Sequence, residues 1–133
     1  MKYLLDVNLL LAWGWADHAD HALVARWIAA VKKNRRDLLL TSAIPQLGFV
    51  RVSVQRTAGQ VSPEVAGQVL SAMLQSLSKA HQFIPDDQQA FRWPAWCHAA
   101  SRTLDAHLLS LAKAHGAELA TLDQGIRGAV KIT

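Results

Sequence analysis

The sequence predicts an α/β fold of three layers, with helices on both faces of a mostly parallel central sheet of four to five strands. Short apolar runs bounded by polar residues alternate with longer segments in which apolar residues recur at helical spacing. Short runs of this kind are typical of strands buried in a parallel sheet. The 133 residues are the length of one domain, and we expect a single domain over residues 1–133.

The first part of the chain predicts two strands and two helices. Residues 3–6 form a short apolar run that ends in Asp6, which indicates a first strand. Residues 9–13 are apolar enough for a buried helical turn or two. Residues 23–33 form an amphipathic helix that ends in lysines, where the helix dipole favours cations. Residues 38–41 are a second buried strand.

The segment 43–55 is ambiguous. Residues 49–54 have the β-branched composition of a strand. Ile44, Leu47 and Val50 also fit one apolar stripe of a helix. Composition alone favours a strand here.

The middle of the chain contains a strong helix start. Ser62 followed by Pro63 and an early acid is typical of a helix amino terminus, and apolar spacing continues to residue 77. Residues 81–84 indicate a third strand, which Pro85 ends. We expect a short helix containing Phe91 after that strand.

The last part of the chain predicts one helix and two strands. A helix begins at residues 103–105, and Gly116 ends it. Residues 118–123 are a fourth strand, which again ends in an acid. Residues 129–132 are the weakest of the predicted strands.

Composition restricts the class of protein. No apolar run reaches the roughly 18–20 residues that a membrane span needs, and the first residues do not form a signal peptide. The one cysteine, Cys97, excludes an internal disulfide and suits a reducing cytoplasm. The net charge of +4 mildly favours a polyanionic partner. We therefore expect a cytoplasmic protein with no membrane association.

Three carboxylates are expected at one edge of the sheet. Asp6 and Asp123 end predicted strands, and Asp105 begins a predicted helix. Strand carboxyl ends and helix amino ends share an edge of a parallel sheet. Clustered carboxylates repel each other, and Mg²⁺ or Mn²⁺, which prefer oxygen ligands, would relieve that repulsion. Each acid also has a simpler explanation: Asp6 as a helix cap, Asp105 as a dipole partner and Asp123 as a turn residue.

Four segments of the chain, in order, resemble the motifs of PIN domains, and most closely those of VapC-type toxins of bacterial type II toxin–antitoxin systems. These segments are residues 4–8, 48–51, 105–112 and 120–125. The resemblance implies a metal-dependent endoribonuclease that cleaves RNA, forms homodimers and is silenced by a cognate antitoxin. It also implies that the segment around residues 48–51 is helical, so we predict a helix there against its strand composition.

The resemblance also implies roles for single residues. Asp6, Asp105 and Asp123 match the acidic site that holds Mg²⁺ or Mn²⁺ in the family. Thr121 matches a small hydroxyl residue that orients a carboxylate or binds a metal-bound water, and Asn8 matches a supporting polar residue.

Further residues are candidates for supporting roles. Arg51 is the last residue of the second motif and is a candidate for contact with RNA phosphates. Many PIN domains carry a glutamate near the position of Gln46, whose neutral amide offers only a carbonyl oxygen. Either the site binds metal more weakly, or Asp86 or Asp87 supplies the missing charge.

Two alternatives to this nuclease remain. A PIN-like module that binds RNA or protein without cutting is consistent with the neutral Gln46. A phosphotransferase of the haloacid dehalogenase type would need a second aspartate two residues after Asp6, where this chain has Asn8.

Overall fold

The computed structural model describes residues 1–133 and contains a five-stranded sheet with helices on both faces. The strands are β1 (Lys2–Leu5), β2 (Leu38–Thr41), β3 (His81–Phe83), β4 (Glu118–Thr121) and β5 (Val130–Lys131). The helices are α1 (Val7–Gly14), α2 (His21–Lys33), α3 (Ala43–Arg56), α4 (Pro63–Leu77) and α5 (Thr103–Ala114). Two single 3₁₀ turns, Ser78–Ala80 and Ala100–Arg102, precede β3 and α5.

The sheet has the order β3-β2-β1-β4-β5, and every neighbouring pair of strands is parallel. The predicted α/β fold is therefore confirmed, and the sheet is parallel throughout. The first strand is its centre, with β2 on one side and β4 on the other. This order places the carboxyl end of β1 in the middle of the edge where ligands bind in α/β folds.

The two faces of the sheet are covered unequally. Leu4 of β1 lies in register with Leu40 and Leu119, and all three pack in one buried cluster with residues of α5. Because consecutive strand residues point to opposite faces, Leu5 belongs to the second cluster, which is formed with α1 to α4. The helix that carries Asp105 is thus alone on its face.

Residues 43–56 form helix α3, so the helix predicted there is confirmed and the strand composition is overridden. Phe49 and Ser53 of α3 are fully buried, and Phe49 stacks on Trp15 with ring centroids 6.0 Å apart. Gly48 faces the start of α1, where a Cβ on this glycine would lie 2.6 Å from Val7 Cγ2. Packing against neighbouring helices therefore determines that this segment is a helix, and local propensity does not describe such packing.

The expectation of a short helix containing Phe91 is wrong. Residues 85–99 contain no helix, and Phe91 is exposed. A short helix is marginal unless it buries an apolar face, and this segment has no apolar stripe to bury. No helix of the protein has the length and apolar character needed to cross a bilayer.

Candidate functional site

Asp6 joins the central strand to the first helix. Its backbone N–H donates to the carbonyl of Ala120 at 3.0 Å, which extends the pairing of β1 with β4 by one residue. Its side chain caps α1, because Oδ1 accepts from the N–H of Val7 at 2.8 Å. Asp6 is only 8% exposed. The capping role expected of this acid is therefore present, and it places a buried carboxylate at the edge of the sheet.

The hydroxyl of Thr121 holds the other oxygen of that carboxylate. Thr121 Oγ1 donates to Asp6 Oδ2 at 2.7 Å and accepts from the backbone N–H of Asp123 at 3.0 Å. Asn8 Nδ2 also donates to this hydroxyl at 3.0 Å, and Asn8 Oδ1 accepts from the N–H of Leu122 at 3.1 Å. Thr121 and Asn8 together fix the start of α1 to the segment that follows β4.

Asp105 and Asp123 lie on either side of one guanidinium. Asp105 is in the first turn of α5, and Asp123 comes two residues after the end of β4. Nη1 of Arg102 is 3.3 Å from Asp105 Oδ2 and 3.7 Å from Asp123 Oδ2. Asp123 Oδ1 accepts from the N–H of Gly125 at 2.7 Å, as expected of a turn residue. Each acid thus has a local structural role in addition to its place at this edge.

The three acids influence one another electrostatically. Burial raises the pKa of Asp6, and the negative charges of Asp105 and Asp123 raise it further. The hydrogen bonds from Thr121 and Val7 lower that pKa but do not offset the loss of solvent. The protein surroundings therefore disfavour ionised Asp6. A cation bound beside Asp6 would favour it.

The donor atoms at this edge suit a hard divalent cation. Carboxylate and hydroxyl oxygens are the ligands that Mg²⁺ and Mn²⁺ prefer. No three acidic, histidine or cysteine side chains lie close enough together to enclose a metal ion by themselves. Mg²⁺ usually takes one or two carboxylates and keeps several waters, so an open set of ligands is compatible with it. The Ser42 hydroxyl, one residue after β2, is buried and has no hydrogen-bond partner.

Comparison with known proteins identifies the family. The family model of the PIN domain matches residues 3–131. The chain belongs to the PIN domain family. The resemblance seen in the four sequence motifs is thereby confirmed.

Two curated relatives from Mycobacterium tuberculosis are named ribonucleases. Ribonuclease VapC39 is 38% identical over 132 residues, covering 95% of this chain and 91% of that protein. Ribonuclease VapC38 is 35% identical over 129 residues, covering 92% of this chain and 86% of that protein.

Two solved structures share the fold of this PIN domain. VapC20 of Mycobacterium tuberculosis, described as a toxin that cleaves the sarcin–ricin loop, has a TM-score of 0.59 at 13% identity and covers 93% of this chain and 92% of its own. PAE2754 of Pyrobaculum aerophilum has a TM-score of 0.54 at 18% identity and covers 99% of this chain and 84% of its own.

Gln46 of this PIN domain forms no hydrogen bond with the three acids. Its Nε2 donates to Thr41 Oγ1 at 3.1 Å, and Thr41 Oγ1 lies 2.7 Å from His81 Nε2. Burial lowers the pKa of His81, so the ring is neutral and can accept the hydroxyl proton of Thr41. The amide of Gln46 is therefore used in a hydrogen-bonded chain between α3, β2 and β3.

Asp86 and Asp87, which follow β3, have local partners. Asp86 Oδ2 is 2.7 Å from His107 Nε2, and its Oδ1 accepts from the N–H of Gln88 at 3.2 Å. Asp87 is exposed and contacts only the side chain of Gln88, at 3.5 Å.

Two arginines are candidates for a functional role. Arg51 is exposed on α3, and its only hydrogen bond is to Gln55 in the same helix at 3.5 Å. Arg102 is the functional candidate that the sequence analysis missed. A basic residue three positions before Asp105 meets it on one side of a helical turn, and that spacing is the signal that indicates the contact.

Proposed function

We propose that this PIN domain is a metal-dependent endoribonuclease of the VapC type, which hydrolyses RNA phosphodiester bonds. The observation that supports the proposal is that Asp6, Asp105 and Asp123, from three separate parts of the chain, are near enough for the charges of Asp105 and Asp123 to raise the pKa of Asp6. The relatives named ribonucleases support the same activity.

Asp6, Asp105 and Asp123 would hold Mg²⁺ or Mn²⁺ in this proposal. The bound ion would activate water for attack on the phosphodiester and offset the charge that develops there. The chain's own contribution is to position the carboxylates before the ion binds. The Thr121 hydroxyl fixes one oxygen of Asp6, and the Val7 N–H fixes the other. Asn8 keeps the segment that carries Asp123 against α1.

Arg51 is our proposed contact to the RNA backbone. Its guanidinium is exposed and pairs with no carboxylate, so it is free to meet a phosphate. The net charge of +4 favours approach of a polyanion in the same way.

The decisive experiment is cleavage of a mixed RNA pool by the purified chain with Mg²⁺, with Mn²⁺ and with chelator. We expect metal-dependent cuts that disappear in Asp6→Asn. Glu64→Gln is the matched control, because it removes a carboxylate charge from an exposed position in the first turn of α4. Undiminished cleavage by Asp6→Asn, or cleavage in chelator, would contradict this assignment.

A second candidate function is a PIN-like module that binds RNA or protein without cutting it. Two observations favour it: Gln46 contributes no charge to the site, and Arg102 already pairs with two of the acids. This candidate predicts that a fluorescent RNA is bound by the wild-type chain in Mg²⁺ or Mn²⁺ and remains intact.

We further propose an antitoxin and a second copy of the chain as partners in the cytoplasm. The single free cysteine suits that compartment. Leu47 of α3 and Val65 of α4 are large apolar side chains that remain exposed, which supports a protein interface on these helices. Sedimentation of the purified chain alone measures its association with a second copy. Sedimentation after co-expression with a protein encoded beside it measures its association with an antitoxin.

A further inference from the structure

The guanidinium of Arg102 contacts both Asp105 and Asp123, and it reduces the repulsion between their two negative charges. One nitrogen, Nη1, is 3.3 Å from Oδ2 of Asp105 and 3.7 Å from Oδ2 of Asp123. The arginine ends the 3₁₀ turn Ala100–Arg102 directly before α5, so it is held close to Asp105 by the backbone. It is the only cation that bridges two carboxylates in the molecule.

The turn after β4 leaves room for this guanidinium. A Cβ on Gly125 would lie 2.9 Å from Arg102 Nη2 and 3.2 Å from Asp123 Oδ1, so a side chain there would crowd the ion pair. The N–H of Gly125 occupies Oδ1 of Asp123 at 2.7 Å. Oδ2 of Asp123 is the oxygen that faces Arg102, 3.7 Å from Nη1.

We propose that Arg102 is the internal counter-cation of the acidic site and that a divalent metal ion must displace its guanidinium from Asp105 and Asp123 in order to bind. This inference depends on the metal site proposed above. Both cations would be attracted to the same two carboxylates, so their binding is competitive.

The displacement is feasible because the ion pair is partly solvated. The Arg102 side chain is 39% exposed and that of Asp123 is 40% exposed. Partly exposed ion pairs contribute little net free energy, and a flexible arginine can leave its partners for solvent. Arg102 therefore offsets part of the negative charge of the acidic site, and the affinity of the site for metal is reduced by the competition.

The test is the dissociation constant of Mn²⁺, measured by calorimetry and by electron paramagnetic resonance of free Mn²⁺. We expect Arg102→Gln to bind Mn²⁺ roughly fivefold more tightly than wild type, the factor that one weak ion pair supplies. Arg102→Lys keeps the charge and should remain close to wild type. Arg127→Gln is the matched control, since it removes the same charge from an exposed arginine that pairs with no carboxylate.

The outcomes separate this inference from the proposed function. Equal or weaker Mn²⁺ binding by Arg102→Gln, with wild type binding, would overturn the competition and leave the metal site standing. Absence of Mn²⁺ binding in wild type and Arg102→Gln alike would overturn both. Circular dichroism verifies folding first, and Arg102→Ala replaces the glutamine variant if that variant is unfolded.

Discussion

At the scale of single residues, burial determines how readily the carboxyl group of the site's central acid ionises. Asp6 is the clearest case, because its carboxylate is nearly removed from solvent while Asp105 and Asp123 add negative charge nearby. Its hydrogen bonds come from one hydroxyl and one backbone N–H. An ionised Asp6 therefore lowers the stability of the metal-free fold.

This predicts a pH dependence of stability in the presence of chelator. The pKa of Asp6 is higher in the folded than in the unfolded chain, so its protonated form favours folding. The contribution is present below the unfolded pKa, about 3.9, and is lost as the pH rises through the folded value. The variant Asp6→Asn does not lose stability in this way, because the asparagine side chain does not ionise.

Urea unfolding of both proteins across roughly pH 3–8 measures the effect, on the order of 1 kcal/mol for each unit by which the pKa is raised. The variant should gain stability relative to wild type as the pH increases. A stability difference that does not change with pH would contradict a raised pKa of Asp6 in the folded chain.

The Gln46 chain gives a second prediction. Gln46→Glu places a negative charge near His81 across the Thr41 hydroxyl, and a nearby negative charge favours the protonated ring. We expect the pKa of His81 to increase, as followed by NMR titration of its ring protons. Gln60→Glu, at an exposed position, should leave that pKa unchanged. No change in either variant would mean that residue 46 does not face His81 in solution.

At the scale of elements, α3 shows where local sequence information ends. Its β-branched residues favour a strand, yet burial of Phe49 against Trp15 and the close approach of Gly48 to Val7 require a helix. The family resemblance, and not composition, led to the correct prediction. The reverse error occurred around Phe91, where local composition suggested a helix that has no apolar face to bury.

The contact between Gly48 and Val7 predicts the effect of one methyl group. Gly48→Ala should destabilise the protein by about 1–3 kcal/mol through overpacking, less the gain of up to about 1 kcal/mol in helix propensity. Gly67→Ala is the matched control in α4, because a Cβ there meets nothing within 4 Å. It should be neutral or stabilising. Chemical denaturation distinguishes the two, and equal stabilisation by both alanines would show that α3 and α1 are not in close contact.

At the scale of the whole molecule, the sequence predicted the layers and the common edge but not the arrangement of strands. Parallel strands bring Asp6 and Asp123 to one edge in any order, so periodicity was sufficient for that expectation. The order β3-β2-β1-β4-β5 and the partners of Gln46 and Asp86 depend on contacts between distant residues. Arg102 was overlooked because its second partner, Asp123, is close only after folding.

The hydrogen bond between Thr121 and Asp6 joins residues 115 positions apart, and the strands at whose ends they lie, β1 and β4, are paired. A chain that stops before β4 therefore loses both the partner of its central strand and the hydroxyl that orients Asp6. Such an interrupted chain would have neither a stable sheet nor a complete acidic site. The acidic site and the central pairing of the sheet are therefore completed by the same late segment of the chain.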